Sequence, residues 1–139
     1  METVAIVVLN YLNYKDTIEC IESIKFDIYP KKEIIVVDNN SQNESWDILN
    51  KVYGKEIHLL RSEENLGFAN GNNLGIEYAR KNLNCSFILL VNNDTIFKDN
   101  MLVTKLIESY EEGVGIIGPR IIASDKMDQN PIPFLVKKS

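Results

Sequence analysis

The chain is short of several groups that common chemistries depend on. Its two cysteines, Cys20 and Cys85, form no CxxC pair and join no Cys/His cluster, which argues against a structural zinc site and fits two reduced, buried thiols. The single histidine, His58, falls in an apolar segment with strand character, so a nucleophilic triad lacks its usual base. No GxGxxG follows the first apolar run, where LNYLNY stands instead, and this excludes a dinucleotide site of Rossmann type. GxxxxGK[ST] is absent, as is the Gly-rich GxGxRL-type loop expected of a sugar-1-phosphate nucleotidyltransferase. No apolar run reaches the length of a membrane span, and METVAIVVLNY has no basic n-region, so a cytoplasmic chain is expected, at most peripheral to a membrane. Basic residues are in deficit, 15 against 20 acidic, and the lysines are scattered, which argues against nucleic acid as a partner. A compact anionic ligand held by backbone N–H groups, a few side chains or a cation stays compatible with the net charge of −5.

What the 139 residues do contain is a regular alternation of two periods, enough for one α/β domain. Residues 3–9 (TVAIVVL), 33–37 (EIIVV), 57–60 and 86–91 are β-branched or continuously apolar, as strands buried on both faces are. Between them, residues 15–26, 42–53 and 68–82 change to helical spacing. Asp16 with Glu19, and Ser41 with Glu44, have capping-box spacing, and Gly54 suits a helix stop. A fourth helix is expected over 100–110 behind Asp99, and a last strand over 114–117. Such alternation predicts a three-layer α/β/α sandwich around a mostly parallel sheet with right-handed crossovers. The tail is polar over 123–131 and apolar again over 132–136, like the beginning of a further element.

Parallel strands point their carboxyl ends to one edge, where open α/β sheets bind ligands. Three polar clusters follow strands here: Asn10-Tyr11, Asp38-Asn39-Asn40-Ser41, and Asn92-Asn93-Asp94. Turns and caps account for each separately, Ser41 as a cap and Asn39 with Asn40 as turn residues, whereas Asp38 and Asp94 are left as candidate ligand carboxylates. Gly67, Gly71, Gly75 and Ala79 recur every fourth residue on the third helix, a stripe without side chains that suits tight packing on the sheet or close approach of a flat ligand. Asn65 before that helix and Asn72 and Asn73 on it are candidates to hydrogen-bond a base, ribose or phosphate.

Taken together and in order, VAIVVLNYLN, EIIVVDNNSQN, RSEENLGFANGNNLG and ILLVNNDT resemble the nucleotide-binding half of the inverting GT-A glycosyltransferases, the class typified by bacterial polysaccharide and rhamnosyl transferases. The likeness covers about residues 2–120, leaving 121–139 as a tail or the start of an acceptor half. It implies a nucleotide-diphospho-sugar donor, with Leu9, Asn10 and Tyr11 holding the base and Asp38, with Asn40 nearby, contacting base or ribose. Asn65, Gly67, Asn72 and Asn73 would line the nucleotide, Asn72 standing where many relatives carry a basic residue. Asn92-Asn93-Asp94 would occupy the DxD position, Asp94 binding the metal and Asn92 a ribose hydroxyl.

That carry-over is chemically coherent. A nucleoside diphosphate leaves during glycosyl transfer, and a hard cation, Mg²⁺ or Mn²⁺, neutralises the charge that develops on it. Asn92 in place of a first Asp removes one negative charge and weakens metal binding without nucleotide; separately, the resemblance of the Asn-Asn-Asp variant to rhamnosyl transferases implies a tilt toward dTDP over UDP. The acceptor, a glycan or lipid-linked sugar, needs a carboxylate general base, and only Asp125 and Asp128 follow position 112. A fragment or a donor-binding half that depends on another polypeptide is therefore expected, self-associating through uncovered apolar surface. A nucleotide-sugar-binding module without catalysis is the competing reading.

Overall fold

A computed structural model describes residues 1–123 and 125. A first compact unit spans Met1–Met101, and a second begins at Leu102. The first holds β1 (Val4–Asn10), α1 (Tyr14–Phe26), β2 (Lys32–Asp38), α2 (Ser45–Tyr53), β3 (His58–Arg61), α3 (Gly67–Asn82) and β4 (Phe87–Asn92). The four strands form one sheet of order β3-β2-β1-β4, every neighbouring pair parallel. From β1 to β3 the chain winds in one direction, and then β4 lands on the other side of β1. With right-handed crossovers, that reversal puts α1 and α2 on one face and α3 on the other.

Both faces of the central strands are consequently covered. Ala5, Val7, Ile35 and Val37 cluster with Ala79 of α3, and Leu9, Leu60, Leu74 and Tyr78 pack around them. Their alternate neighbours Ile6, Val8 and Val36 are fully buried as well, as are Ile21 and Ile24 of α1 and Leu49 of α2. This burial from both sides is why the strands read as unbroken apolar runs.

The glycine stripe of α3 serves that packing. A Cβ on Gly71 would lie 2.6 Å from Leu9 Cδ1, and one on Gly75 would lie 2.4 Å from Val7 Cγ1. Gly67 differs: nothing lies within 4 Å of its would-be Cβ, and its φ of +72° is the feature that favours glycine.

Several local expectations are corrected. Helix α1 is capped by Asn13 instead of Asp16: Asn13 Oδ1 accepts from the Asp16 N–H, and its Nδ2 donates 2.6 Å to Asp16 Oδ2. Asp16 thus takes the third helical position of a box that starts three residues earlier. Ser41 caps nothing; α2 begins at Ser45, whose N–H is met by Asn43 Oδ1, and Ser41 Oγ is turned to long-range partners. Gly54 does stop α2, at φ +49°. The first unit ends with Asp99 Oδ1 accepting from the Met101 N–H, and in the second unit α4 spans Leu102–Glu108. Residues 114–117 form no strand: Gly113, Gly115 and Gly118 leave little side chain to pack across a ladder, and Ile116 is 93% exposed. Asp128 and the apolar run 132–136 lie outside the described residues.

Candidate functional site

Strand register brings two of the clusters into contact and the third alongside. Asn10 is paired with Asp38 of β2, and Leu9 with Asn92 of β4. Sheet order reverses between β1 and β4, so the crevice beyond their carboxyl ends is the topological switch point at which such sheets bind ligands.

Beneath that crevice lies a continuous polar network. Asn10, fully buried, donates from Nδ2 to Asp38 Oδ2 at 2.7 Å and to Ser41 Oγ at 3.3 Å. Its Oδ1 accepts from Thr17 Oγ1 of α1 at 2.7 Å. Asp38 is 1% exposed; its Oδ1 accepts the Ser41 N–H at 3.0 Å and stands 3.7 Å from Nε of Arg61. The guanidinium also reaches the Ser41 carbonyl and lies 5.6 Å over the Trp46 ring. A buried carboxylate is sustained here by three kinds of partner: an amide, a backbone N–H and a cation.

The backbone at this edge is bent into unusual conformations. Leu12 has φ +60°, uncommon for a residue with a branched side chain, and Asn40 has φ +58°. Leu12 is held on both sides, its N–H on Ser41 Oγ at 2.9 Å and its carbonyl accepting from Asn43 Nδ2 at 2.8 Å. That bend carries Tyr11, 45% exposed, to the surface directly after β1. Asn40 reaches the Glu63 carbonyl, tying the β2 loop to the loop after β3.

Asn39 was expected only to turn the chain, yet it is the hub of the β2–α3 side. Its Nδ2 donates to Asn65 Oδ1 and the Gly67 carbonyl, and its Oδ1 accepts from the Leu66 N–H and Ser62 Oγ. Asn65 Oδ1 accepts from the Gly67 N–H as well. Asn72 is 6% exposed, and its Nδ2 donates to the Phe68 carbonyl one turn back. An interior amide satisfies itself on its own helix when no outside partner reaches it. Asn73 is exposed.

Asn92, which ends β4, and Asp94 beyond it are exposed, and Asn93 between them turns inward to donate from Nδ2 to Thr17 Oγ1 at 3.1 Å. Beside them Cys20 donates toward the Asn92 carbonyl; burial pushes its thiol up to about 12, the charge of Asp94 adding to this and the Thr95 backbone N–H opposing it. Among the described residues no three His, Cys, Asp or Glu side chains gather as a metal cage. An open cavity of about 600 Å³ lies at the β3–α3 junction, lined by Arg61, Ser62, Glu63, Glu64, Leu66 and Leu74. That lining pairs the cation of Arg61 with two glutamates and includes none of Asn92, Asn93 and Asp94. Arg61, Thr17 and Ser62 carried no legible signal, since each acts through a contact distant in sequence.

These features define a parallel α/β domain whose topological switch point lies between β1 and β4. The chain belongs to glycosyl transferase family 2, whose family model matches residues 3–134. Glycosyltransferase GlyG of Streptococcus pneumoniae is 29% identical over 131 residues, covering 93% of this chain and 42% of that protein. A UDP-Glc:alpha-D-GlcNAc-diphosphoundecaprenol beta-1,3-glucosyltransferase, WfaP of Escherichia coli, is 35% identical over 81 residues, 58% of this chain and 32% of its own. Among solved structures, mannosyltransferase PcManGT from Pyrobaculum calidifontis, in complex with GDP-Man and Mn²⁺, superposes with a TM-score of 0.69 at 18% identity, over 77% of this chain and 32% of that one. S. aureus TarS 1-349 in complex with UDP-GlcNAc gives 0.61 at 20% identity, over 86% and 40%. The solved structures share the GT-A fold with this chain, which spans at most 42% of the length of the curated relatives cited.

Proposed function

We propose that the β1–β4 edge binds the nucleoside diphosphate of a UDP- or dTDP-sugar together with Mg²⁺ or Mn²⁺, for inverting transfer of the sugar to a glycan or lipid-linked acceptor. The observation that carries this reading is the convergence of Asn10-Tyr11, Asp38 and Asn92-Asn93-Asp94 on one switch point in a chain of this family. The mannosyltransferase with GDP-Man and Mn²⁺ supports it.

The residues present suit a hard divalent ion. Asp94 offers an exposed carboxylate, and its neighbours supply neutral amide oxygens, a donor set that leaves most positions to phosphates and water, as Mg²⁺ sites do. Such an ion would neutralise charge on the departing diphosphate. Tyr11, exposed directly after β1, offers a ring for the base next to Leu9 and Asn10 in sequence, and Asp38 with Asn40 braces the nucleoside side. Asn65, Gly67 and Asn73 border it at the start of α3, and Asn92 offers its amide to a ribose hydroxyl.

Acceptor deprotonation needs a general base that none of these residues supplies. In this reading the base comes from outside residues 1–123, and the described unit alone binds donor without transferring sugar. The second reading, a non-catalytic nucleotide-sugar-binding module, is favoured by the same gap. Thermal-shift measurement with UDP, dTDP, GDP and their sugars, with and without Mn²⁺, tests the common part. At about 100 times Kd the correct ligand raises Tm by about 5–10 °C. A panel in which no nucleotide moves Tm overturns it. Sugar transfer to an acceptor, compared with donor binding that consumes nothing, separates enzyme from module.

A further inference from the structure

The buried network fixes which way each of its amides faces, and the last of them is Asn93. Asp38 accepts at Oδ1 from the Ser41 N–H, 3.7 Å from the Arg61 guanidinium, and Asn10 turns Nδ2 toward its Oδ2, at 2.7 Å, and Oδ1 away. Thr17 then has to donate its only hydroxyl proton on that side, where Asn10 Oδ1 lies at 2.7 Å and the Asn13 carbonyl at 2.9 Å. With its proton committed, Thr17 Oγ1 meets Asn93 only as an acceptor, and Asn93 must present Nδ2 to it, at 3.1 Å. A second donation from the same Nδ2 runs 3.4 Å to the Asn13 carbonyl. Both amide protons are thereby occupied on the α1 side. The atom left over is Asn93 Oδ1, for which no partner is seen among the described residues, on a partly exposed side chain directly before Asp94.

Resting on the donor-binding reading above, we propose that Asn93 Oδ1 joins Asp94 as a second oxygen donor to the coordination sphere of the divalent cation, and that Thr17 is the positioning residue that orients it. The polarity originates at Asp38, on the opposite side of β1, and runs Asp38, Asn10, Thr17, Asn93. A neutral amide oxygen is a normal ligand for hard cations. It compensates in part for Asn92 standing where a second carboxylate would add charge. Fixing ligand orientation through an outer partner typically changes metal affinity by 10- to 100-fold.

Three variants and two readouts test this on the whole chain. Thr17→Val keeps shape and loses the hydroxyl, Thr17→Ser restores it, and Asn93→Ala removes the oxygen together with the amide's bonds to Thr17 and the Asn13 carbonyl, leaving the Thr17–Asn10 bond in place. The first readout is the side-chain amide resonance of Asn93 in ligand-free protein: it shifts and exchanges faster in Thr17→Val and returns in Thr17→Ser. The second is the ratio of UDP or dTDP affinity with and without Mn²⁺. That ratio is expected to fall about tenfold or more in both Asn93→Ala and Thr17→Val, with no further fall in the double variant and recovery in Thr17→Ser. Additive losses, or Asn93→Ala with the parental ratio, overturn the metal role of Asn93. An Asn93 amide indifferent to Thr17→Val overturns the relay. If the parent itself binds neither nucleotide with Mn²⁺, the donor-binding reading and the metal role fall together, while the amide resonance still decides the orientation by Thr17.

Discussion

At the scale of single residues, the site is governed by where buried polar atoms find partners. Cys20 illustrates the consequence for charge. Its burial keeps the thiol protonated up to about 12, against an ordinary 9.0, so iodoacetamide near pH 8 should spare it in the native protein and modify it once denatured. Rapid native alkylation mapped to Cys20 by mass spectrometry would contradict its packing. The same shift sets a pH dependence of stability. The unfolded thiol ionises near 9.0 and the folded one near 12, so its contribution is intact below pH 9 and is lost as pH rises toward 12. Tyr53, raised by burial and by its bond to Glu22, acts in the same direction. Urea midpoints should therefore fall progressively above about pH 9, and a flat or rising midpoint there would refute the account. Asp38 and Asp94 could be singled out because one ends a strand and the other stands just past a strand end. Asn39 and Ser41 could not be placed, because their decisive partners, Asn65, Leu66, Asn10 and Leu12, lie far along the chain and local turn chemistry already explains both residue types.

At the scale of elements, every strand and helix of the first unit was legible, since period and β-branching are local properties. Their ends were less so. Box spacing at Ser41 and Glu44 is a local pattern, and it yields to a long-range competitor when Asn10 and Leu12 claim the hydroxyl. The stretch 114–117 shows the reverse failure: apolar character suggests a strand, but three surrounding glycines remove what a ladder would pack. Helix α3 gives the sharpest test at this scale. Replacing Gly by Ala in an open helix stabilises by about 1 kcal/mol. At Gly75 the new Cβ would meet Val7 Cγ1 at 2.4 Å and Val37 Cγ2 at 3.2 Å, both on stiff β-branched side chains of the sheet. Gly75→Ala should consequently destabilise by about 1–3 kcal/mol. Gly71→Ala meets the outer methyls of Leu9, which can rotate, and should cost less. Equal or reversed costs in chemical denaturation would mean that α3 does not lie on β1 as described.

For the molecule as a whole, the sheet edge organises everything else: reversal of strand order at β1 and β4 makes the crevice, and the polar network beneath it fixes the groups that face it. At the end of the four-strand order among the described residues, β4 also presents Leu90, 51% exposed, while Phe26 at the end of α1 and Ile28 after it are 62% and 60% exposed. Edge strands with apolar neighbours favour self-association, so the isolated chain should sediment as a dimer or larger species at tens of micromolar, and a strict monomer would refute this. The family's fold was legible because four short motifs stand in order, whereas the acceptor's partners were not, because no local pattern after position 112 marks a base. No helix among the described residues is long and apolar enough to cross a membrane.

The central claim is that this edge holds a nucleoside diphosphate through a cation on Asp94. Calorimetric titration of UDP and dTDP into the parent and into Asp94→Ala, each with and without Mn²⁺, tests it most directly. Asp94 is exposed, so the variant should keep the parental Tm, and on this claim it should lose the Mn²⁺-dependent part of the affinity, about 10-fold or more. Equal Mn²⁺-dependent affinity in parent and variant, or a parent that binds neither nucleotide, would contradict it.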